Sequence, residues 1–131
     1  MMKTIIKLTL SLCFLSFGWN VSAQSETGTT KLPTSVKKDT VLTVNGICSM
    51  CQRTIEKAAL TDGVFLAQWD VETKALQLSY DPAIITLATI NKRINKVGYD
   101  TEISAATDEE YNTVHGCCRY RDPEVVNQHK D

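Results

Sequence analysis

The sequence lacks any strong excess of charge of one sign. Its 131 residues carry 14 basic and 15 acidic side chains, a formal net charge of −1. Nucleic-acid binding depends on clustered Lys and Arg, so this balance argues against that class of partner. Proline is also scarce, with only three residues in the chain. The length excludes two full domains, and a hydrophobic content of 43% favours one compact domain with extensions.

Long apolar runs are missing as well. The run over residues 8–17 follows a basic start and is too short to span a bilayer. A small-residue cleavage pattern ends at Ala23. We therefore predict a secretory signal peptide over residues 1–23 and a flexible linker over residues 24–38, whose polar composition cannot form a core. This predicts a periplasmic or secreted protein with no stable membrane insertion after removal of the signal.

Five cysteines are present, and Cys13 lies inside the predicted signal peptide. In an exported chain the remaining even number of thiols usually indicates disulfides. However, the adjacent Cys117 and Cys118 make a strained pair. A bond between Cys48 and Cys51 closes a tight ring of the redox-active kind. Neither pair is therefore typical of a structural framework.

Apolar spacing in the middle of the chain alternates between the periods of strands and helices. Period-two alternation predicts strands that contain Leu42, Trp69 and Leu78. Spacings of three and four predict a helix that turns Cys51 towards the core and a second helix that begins near Leu87. The exposed side of the second helix is expected to hold Asn91, Lys92, Arg93 and Lys96.

A short fourth strand is predicted over residues 99–103. The resulting order βαββαβ predicts an α+β fold, the ferredoxin-like sandwich. We expect this domain over residues 39–104, with a four-stranded antiparallel sheet and both helices on one face. A C-terminal extension over residues 105–131 contains the motif His115-Gly116-Cys117-Cys118.

Cys48 and Cys51 fall where the first predicted strand turns into the first predicted helix. Backbone N–H groups at a helix start have no intrahelical partner and favour negative charge, so we expect both thiols to ionise more readily than free cysteine. One sulfur on the loop and one on the first helical turn can converge on a single soft cation. The motif therefore predicts a two-thiolate metal site. Candidates for additional soft ligands are Met50, His115, Cys117 and Cys118.

The cysteines of the extension have three open interpretations. In the first, the tail folds over the loop end of the sheet and supplies further ligands to the same ion. In the second, His115, Cys117 and Cys118 form a separate metal-capture site or a redox-active vicinal disulfide. In the third, they lie idle on the surface.

Five segments resemble the heavy-metal-associated domains of copper chaperones, copper-transporting ATPases and periplasmic mercury-binding proteins. They are residues 44–46 with Cys48-x-x-Cys51, residues 55–58, residues 62–64, residues 80–82 and residues 97–99. The resemblance implies one soft ion, usually Cu(I), held by Cys48 and Cys51, with Tyr99 beside the metal loop. The family commonly has Gly-Met-x-Cys, whereas here Ile47 alone separates Gly46 from Cys48. Ile47 is therefore expected to supply the apolar anchoring of that methionine.

The predicted function is exported, monomeric binding of Cu(I) for transport or sequestration, without enzymatic activity. The expected partners are the metal ion and a metal transporter or another metal-binding domain. Two thiolates also suit Hg(II), Zn(II) and Cd(II), so scavenging of Hg(II) or another heavy metal is one alternative. A thiol–disulfide oxidoreductase is another. Against it, such enzymes resemble one another in an aromatic residue before the first cysteine and usually a proline between the two cysteines. This chain has Ile47 and Ser49-Met50 at those positions.

Overall fold

The computed structural model describes residues 36 to 130. The predicted signal peptide over residues 1–23 and most of the predicted linker over residues 24–38 lie outside the described residues. Within the described part of the chain, none of the helices has both the length and the apolar character needed to cross a bilayer.

Three strands form the sheet: β1 Lys38–Thr43, β2 Val64–Trp69 and β3 Ala75–Tyr80. Their order is β1-β3-β2, and both neighbouring pairs are antiparallel. The central strand β3 confirms the predicted alternation, because Leu78 and its neighbours two residues away on each side are buried.

The edge strand β2 departs from simple alternation. The register with β3 shifts between Val64 and Leu66, as at a β-bulge. The extra residue leaves Phe65 exposed, and Ala67 and Trp69 are the most buried residues of this strand. The most buried part of β2 therefore begins after the irregularity.

Two helices cover one face of this sheet: α1 Ser49–Ala59 and α2 Leu87–Lys96. Ile55 of α1 and Ile90 of α2 join the inward strand residues in a single core. The apolar face predicted for α1 is confirmed, since Cys51, Ile55, Ala58 and Ala59 are all buried. The domain is thus α+β with an antiparallel sheet and the helix placement of a ferredoxin-like fold.

The prediction of a fourth strand over residues 99–103 is wrong. A single antiparallel bridge between Val44 and Thr101 joins this segment to the end of β1. The Thr101 hydroxyl accepts hydrogen bonds from the N–H groups of Ile103 and Ser104, and its own N–H donates to the Ser104 carbonyl. These local bonds close a turn in place of a ladder, so the sheet has three strands within the described residues.

The expected exposure of Asn91 is also wrong, since this residue is only 5% exposed. Its side-chain amide donates to the Ser104 hydroxyl at 2.8 Å and its carbonyl oxygen accepts from the Thr101 hydroxyl. One turn later, Asn95 donates to the carbonyls of Tyr99 and Ser104. Buried amides on α2 therefore fix the segment that was expected to be a strand.

The chain after residue 104 folds back onto the domain. It forms α3 Asp108–Tyr111, a 3₁₀ turn Gly116–Cys118 and α4 Pro123–Asn127. Thr107 begins α3 with a capping box, in which its hydroxyl and the Glu110 carboxylate each accept a backbone N–H of the other residue. Val114 and Cys118 join the buried core.

Gly98 ends α2 in the left-handed region, with φ of 93°. A Cβ atom at this position would overlap Val114 and lie 2.7 Å from the Glu110 carbonyl oxygen. We expect Gly98→Ala to lower the free energy of unfolding by about 2–4 kcal/mol, through backbone strain and overlap with the C-terminal segment. Urea unfolding of the full chain measures this loss.

Gly116→Ala is the matched control, because a Cβ at Gly116 meets no atom within 4 Å. We expect it to change stability by less than about 0.5 kcal/mol. Equal losses in the two variants would contradict the close contact between Gly98 and the C-terminal segment.

Candidate metal centre

Three cysteine sulfurs meet at the N-terminal end of α1. The Cys48 Sγ lies 3.3 Å from the Cys51 Sγ and 3.3 Å from the Cys118 Sγ. All three sulfurs lie within 4.8 Å of one another. Cys51 and Cys118 are buried, whereas Cys48 is half-buried and forms the edge of the cluster towards solvent. All are free thiols.

The loop between β1 and α1 aims the first two sulfurs at each other. Cys48 is the N-cap of α1 in extended conformation and makes no capping bond with its side chain. Its sulfur therefore stays available. Cys51 lies on the first turn, where its Sγ accepts the N–H of Ile47 at 3.4 Å. Ile47 packs partly buried against the core, the location expected of the apolar anchor in this loop.

Trp69 at the end of β2 fixes the position of this loop. Its indole N–H donates to the Val44 carbonyl at 3.0 Å. A Cβ on Gly46 would lie 2.9 Å from the Trp69 ring, so the loop passes directly over the indole and requires glycine there. The Gln52 side chain of α1 donates to the Trp69 carbonyl at 2.9 Å. Strand, loop and helix are thus joined at one tryptophan.

Tyr120 brings the third sulfur to the site from the C-terminal segment. Its hydroxyl accepts the Asp100 N–H at 2.9 Å and donates to the Gly98 carbonyl at 2.8 Å. Its ring stacks on Tyr99 with centroids 5.7 Å apart. Because Tyr120 lies two residues after Cys118, this contact fixes the 3₁₀ turn against the metal loop.

Arg121 strengthens the same attachment. Its guanidinium binds both carboxylate oxygens of Asp100, at 2.6 and 3.0 Å, and lies 4.3 Å from the Tyr111 ring centroid. It also donates to the Ala106 carbonyl at 2.8 Å. Paired N–H donors on one carboxylate are among the stronger polar contacts in proteins.

The protonation of the cluster is uneven. Burial acts to raise the pKa of the Cys48 thiol, but the nearby backbone at the start of α1 and the thiols of Cys51 and Cys118 outweigh it and leave that pKa below its ordinary value. Burial, with the contacts to Cys48 and Cys51, raises the pKa of Cys118 well above its usual range. The two directions are opposite, so the Cys48 thiol loses its proton more easily than the Cys118 thiol beside it.

Tyr99 lies beside the cluster, where the family resemblance puts it. The residue is buried. Its burial and the neighbouring Cys51 sulfur raise the pKa of its phenol far above the ordinary value. The phenol therefore stays neutral beside the sulfurs, and its packing against Tyr120 is the visible role of this residue.

The remaining predicted ligands surround the outer side of the cluster. The Cys117 Sγ lies 3.8 Å from the Cys118 Sγ, 3.3 Å from Nδ1 of His115 and 3.9 Å from Sδ of Met50. All three outer residues are exposed, with Met50 at 44%. Every residue proposed from the sequence as a metal ligand therefore lies in one connected group.

Asp100, Tyr120 and Arg121 were missed by the sequence reasoning. They hold the C-terminal segment in place, but no periodicity connects Asp100 with residues about 20 positions later. An aromatic pair on the extension, Tyr111 and Tyr120, is a local signal of a second packing surface there. Their rings meet edge to face at 5.2 Å.

No protein-family model matches the sequence, and no curated protein matches it significantly. Among solved structures, a Bacillus anthracis str. Ames protein described as copper-ion-binding is 24% identical over 52% of this chain and 99% of its own, with a TM-score of 0.50. The oxidized MerP of Ralstonia metallidurans CH34 is 26% identical over 51% and 96%, with a TM-score of 0.48. The CopZ metallochaperone is 27% identical over 49% and 98%, with a TM-score of 0.47.

Fold and site together define a small α+β domain with a cluster of soft donors at the start of its first helix. The similarity to the Bacillus anthracis protein establishes the fold. The chain has the fold of a heavy-metal-associated domain, and the resemblance seen in the sequence is confirmed at that level.

The Asp100–Arg121 contact predicts a pH-dependent stability. Burial acts to raise the pKa of Asp100, but the Arg121 guanidinium and the Ala106 N–H outweigh it and hold the pKa below its usual range. The carboxylate thus stabilises the fold above its unfolded pKa of about 3.9, and this contribution is lost as pH falls through the lower folded value. We expect Asp100→Asn to cost about 1–2 kcal/mol at neutral pH, and the deficit to shrink below about pH 4.

Urea unfolding at several pH values measures this difference between parent and variant. Asp62→Asn, at an exposed carboxylate, controls for the change in net charge. Its effect is expected to stay below about 0.5 kcal/mol. A deficit in Asp100→Asn that persists undiminished in acid would contradict the role of the ion pair.

Proposed function

We propose that this protein binds one soft metal ion through Cys48 and Cys51, with Cys118 as the third sulfur, and that it carries or sequesters Cu(I). The observation that supports this proposal is the convergence of three free thiols at one helix start. Two come from the Cys-x-x-Cys loop and one arrives from a residue 70 positions away. Three free sulfurs this close together are better explained by binding of one metal ion than by exposed cysteines without a role.

The donor set selects soft ions. Thiolates favour Cu(I) and other thiophilic metals over Mg²⁺ or Ca²⁺, which take oxygen ligands. Structural zinc sites usually have four protein ligands, and this cluster offers three. The resemblance to heavy-metal-associated domains also implies Cu(I), so we favour Cu(I) over the alternatives Hg(II), Zn(II) and Cd(II).

The spacing of the sulfurs fits an ion after a small adjustment. Sulfurs at about 2.3 Å from a common trigonal ion are about 4.0 Å apart. Cys48 lies 3.3 Å from each of its two neighbours, so an ion requires these sulfurs to move apart by a fraction of an ångström. Cys48 sits on a loop and is half-buried, which makes it the sulfur best able to move.

Its partial exposure also supports a carrier role. An ion can exchange one sulfur at a time with a partner thiolate that approaches at Cys48, so that no free ion forms. A metal transporter or a second metal-binding domain is the expected partner, and we propose a monomer. Export by a signal peptide over residues 1–23, and hence a periplasmic or secreted location, belongs to the same proposal.

We propose that the protein is not an enzyme. The lowered pKa of Cys48 beside Cys51 is also the property that a thiol–disulfide oxidoreductase needs, so this alternative has a specific observation in its favour. Reduction of insulin by the reduced chain distinguishes the two functions. Sustained turnover with a thiol reductant would favour the oxidoreductase over the metal carrier.

The metal function is tested by anaerobic native mass spectrometry of the reduced full chain with one equivalent of Cu(I). We expect one bound ion in the parent that resists a colorimetric Cu(I) chelator. In the combined Cys48→Ser and Cys51→Ser variant, the chelator should remove any bound ion at a far lower concentration, because the two loop sulfurs are then absent. Cys118→Ala should retain the ion but lose it to a colorimetric Cu(I) chelator at a concentration lower by about tenfold or more, since one of three sulfurs is missing.

Cys117→Ala is the matched control for Cys118→Ala, because it removes the adjacent sulfur outside the three-sulfur cluster. It should resist the chelator as the parent does under these conditions. Circular dichroism verifies that each variant is folded. Retention of Cu(I) by the folded double variant at the chelator concentration that the parent resists would refute the proposed site.

A further inference from the structure

Met50, His115 and Cys117 place three further soft donors beside the inner cluster but on its solvent side. All three side chains are exposed. A thioether and a thiol left open to water bury little apolar surface, so core packing does not account for their meeting. They come from two segments, the first turn of α1 and the turn that precedes Tyr120.

The spacing of these donors suits one ion. The Cys117 Sγ lies 3.3 Å from Nδ1 of His115 and 3.9 Å from Sδ of Met50. Two sulfurs bound to one ion at about 2.3 Å are about 3.8–4.0 Å apart in tetrahedral or trigonal geometry, and a sulfur and a nitrogen are about 3.5–3.7 Å apart. The observed separations need only small side-chain movements.

The backbone keeps this outer group separate from the inner one. In the 3₁₀ turn Gly116–Cys118, the Cys118 side chain points into the core whereas the Cys117 side chain points to solvent. His129 supports this orientation, since its Nε2 lies 3.0 Å from the Cys117 carbonyl oxygen. The two sulfurs are 3.8 Å apart, so the groups are adjacent at Cys118.

We propose that Met50, His115 and Cys117 form a second, surface-exposed site for a soft metal ion such as Cu(I). This inference rests on the proposed function of the inner sulfurs for its biological meaning, but not for its chemistry. Thiolate, thioether and imidazole are the ligands that Cu(I) and related ions prefer. An ion held there would lie next to the inner cluster, on its solvent-exposed side, because the Cys117 and Cys118 sulfurs are 3.8 Å apart.

The test compares four versions of the full chain by anaerobic native mass spectrometry with excess Cu(I). The parent should bind two ions. The outer variant, with Met50→Leu, His115→Gln and Cys117→Ser, should bind one. The inner variant, with Cys48→Ser and Cys51→Ser, should also bind one. The chain that combines both sets should bind none.

The design separates this inference from the proposed function. A single ion in the parent, or two ions in the outer variant, would overturn the second site and leave the inner site untouched. An unchanged count in the inner variant would instead refute the proposed function. The outer substitutions are close in size and lie on exposed residues, so the fold should be retained and circular dichroism can verify it.

His129→Gln is the matched control, because it removes the chain's other histidine and keeps an amide donor for the Cys117 carbonyl. It should still bind two ions. X-ray absorption of the inner variant with one bound Cu(I) gives a second readout. We expect nitrogen and sulfur ligands around the ion, and only sulfur ligands after His115→Gln is added. Absence of a nitrogen ligand in the inner variant itself would overturn the assignment.

Discussion

The site depends on the contact of Tyr120 with the end of the core domain. The hydroxyl of this tyrosine bonds the backbone on both sides of Tyr99, and its ring stacks on the Tyr99 ring. These contacts fix the turn that carries Cys117 and Cys118. Arg121, the residue after Tyr120, forms an ion pair with Asp100. Without them the inner cluster has two sulfurs and the outer donors lose their common position.

Because of this attachment, two adjacent cysteines lie in two different environments. Cys118 enters the core against Cys48, and Cys117 stays in water beside His115 and Met50. The soft donors therefore form a series from the buried Cys51 to the exposed imidazole. Under the proposed function, such a series would let an ion move between ligands of similar softness during uptake and release.

The fold was largely predictable where local spacing carries the information. Alternation in β3 and the apolar face of α1 follow from the periods of strand and helix, and both are confirmed. The predictions of a fourth strand and of an exposed Asn91 are wrong for the same reason. The side chains of Asn91, Thr101 and Ser104 bond one another across 13 residues, and that network replaces the strand ladder with a turn.

The sequence by itself determined the Cys48-x-x-Cys51 corner, because a strand, a glycine and a helix in that order bring residues three apart together through backbone geometry alone. It also supplied the candidate donors of the C-terminal segment. Only the tertiary structure decided that Cys118 meets Cys48 across 70 residues while its neighbour faces solvent. That contact depends on the packing of Tyr120 and Arg121 against groups distant in sequence. The spacing of residues along the chain therefore does not predict it.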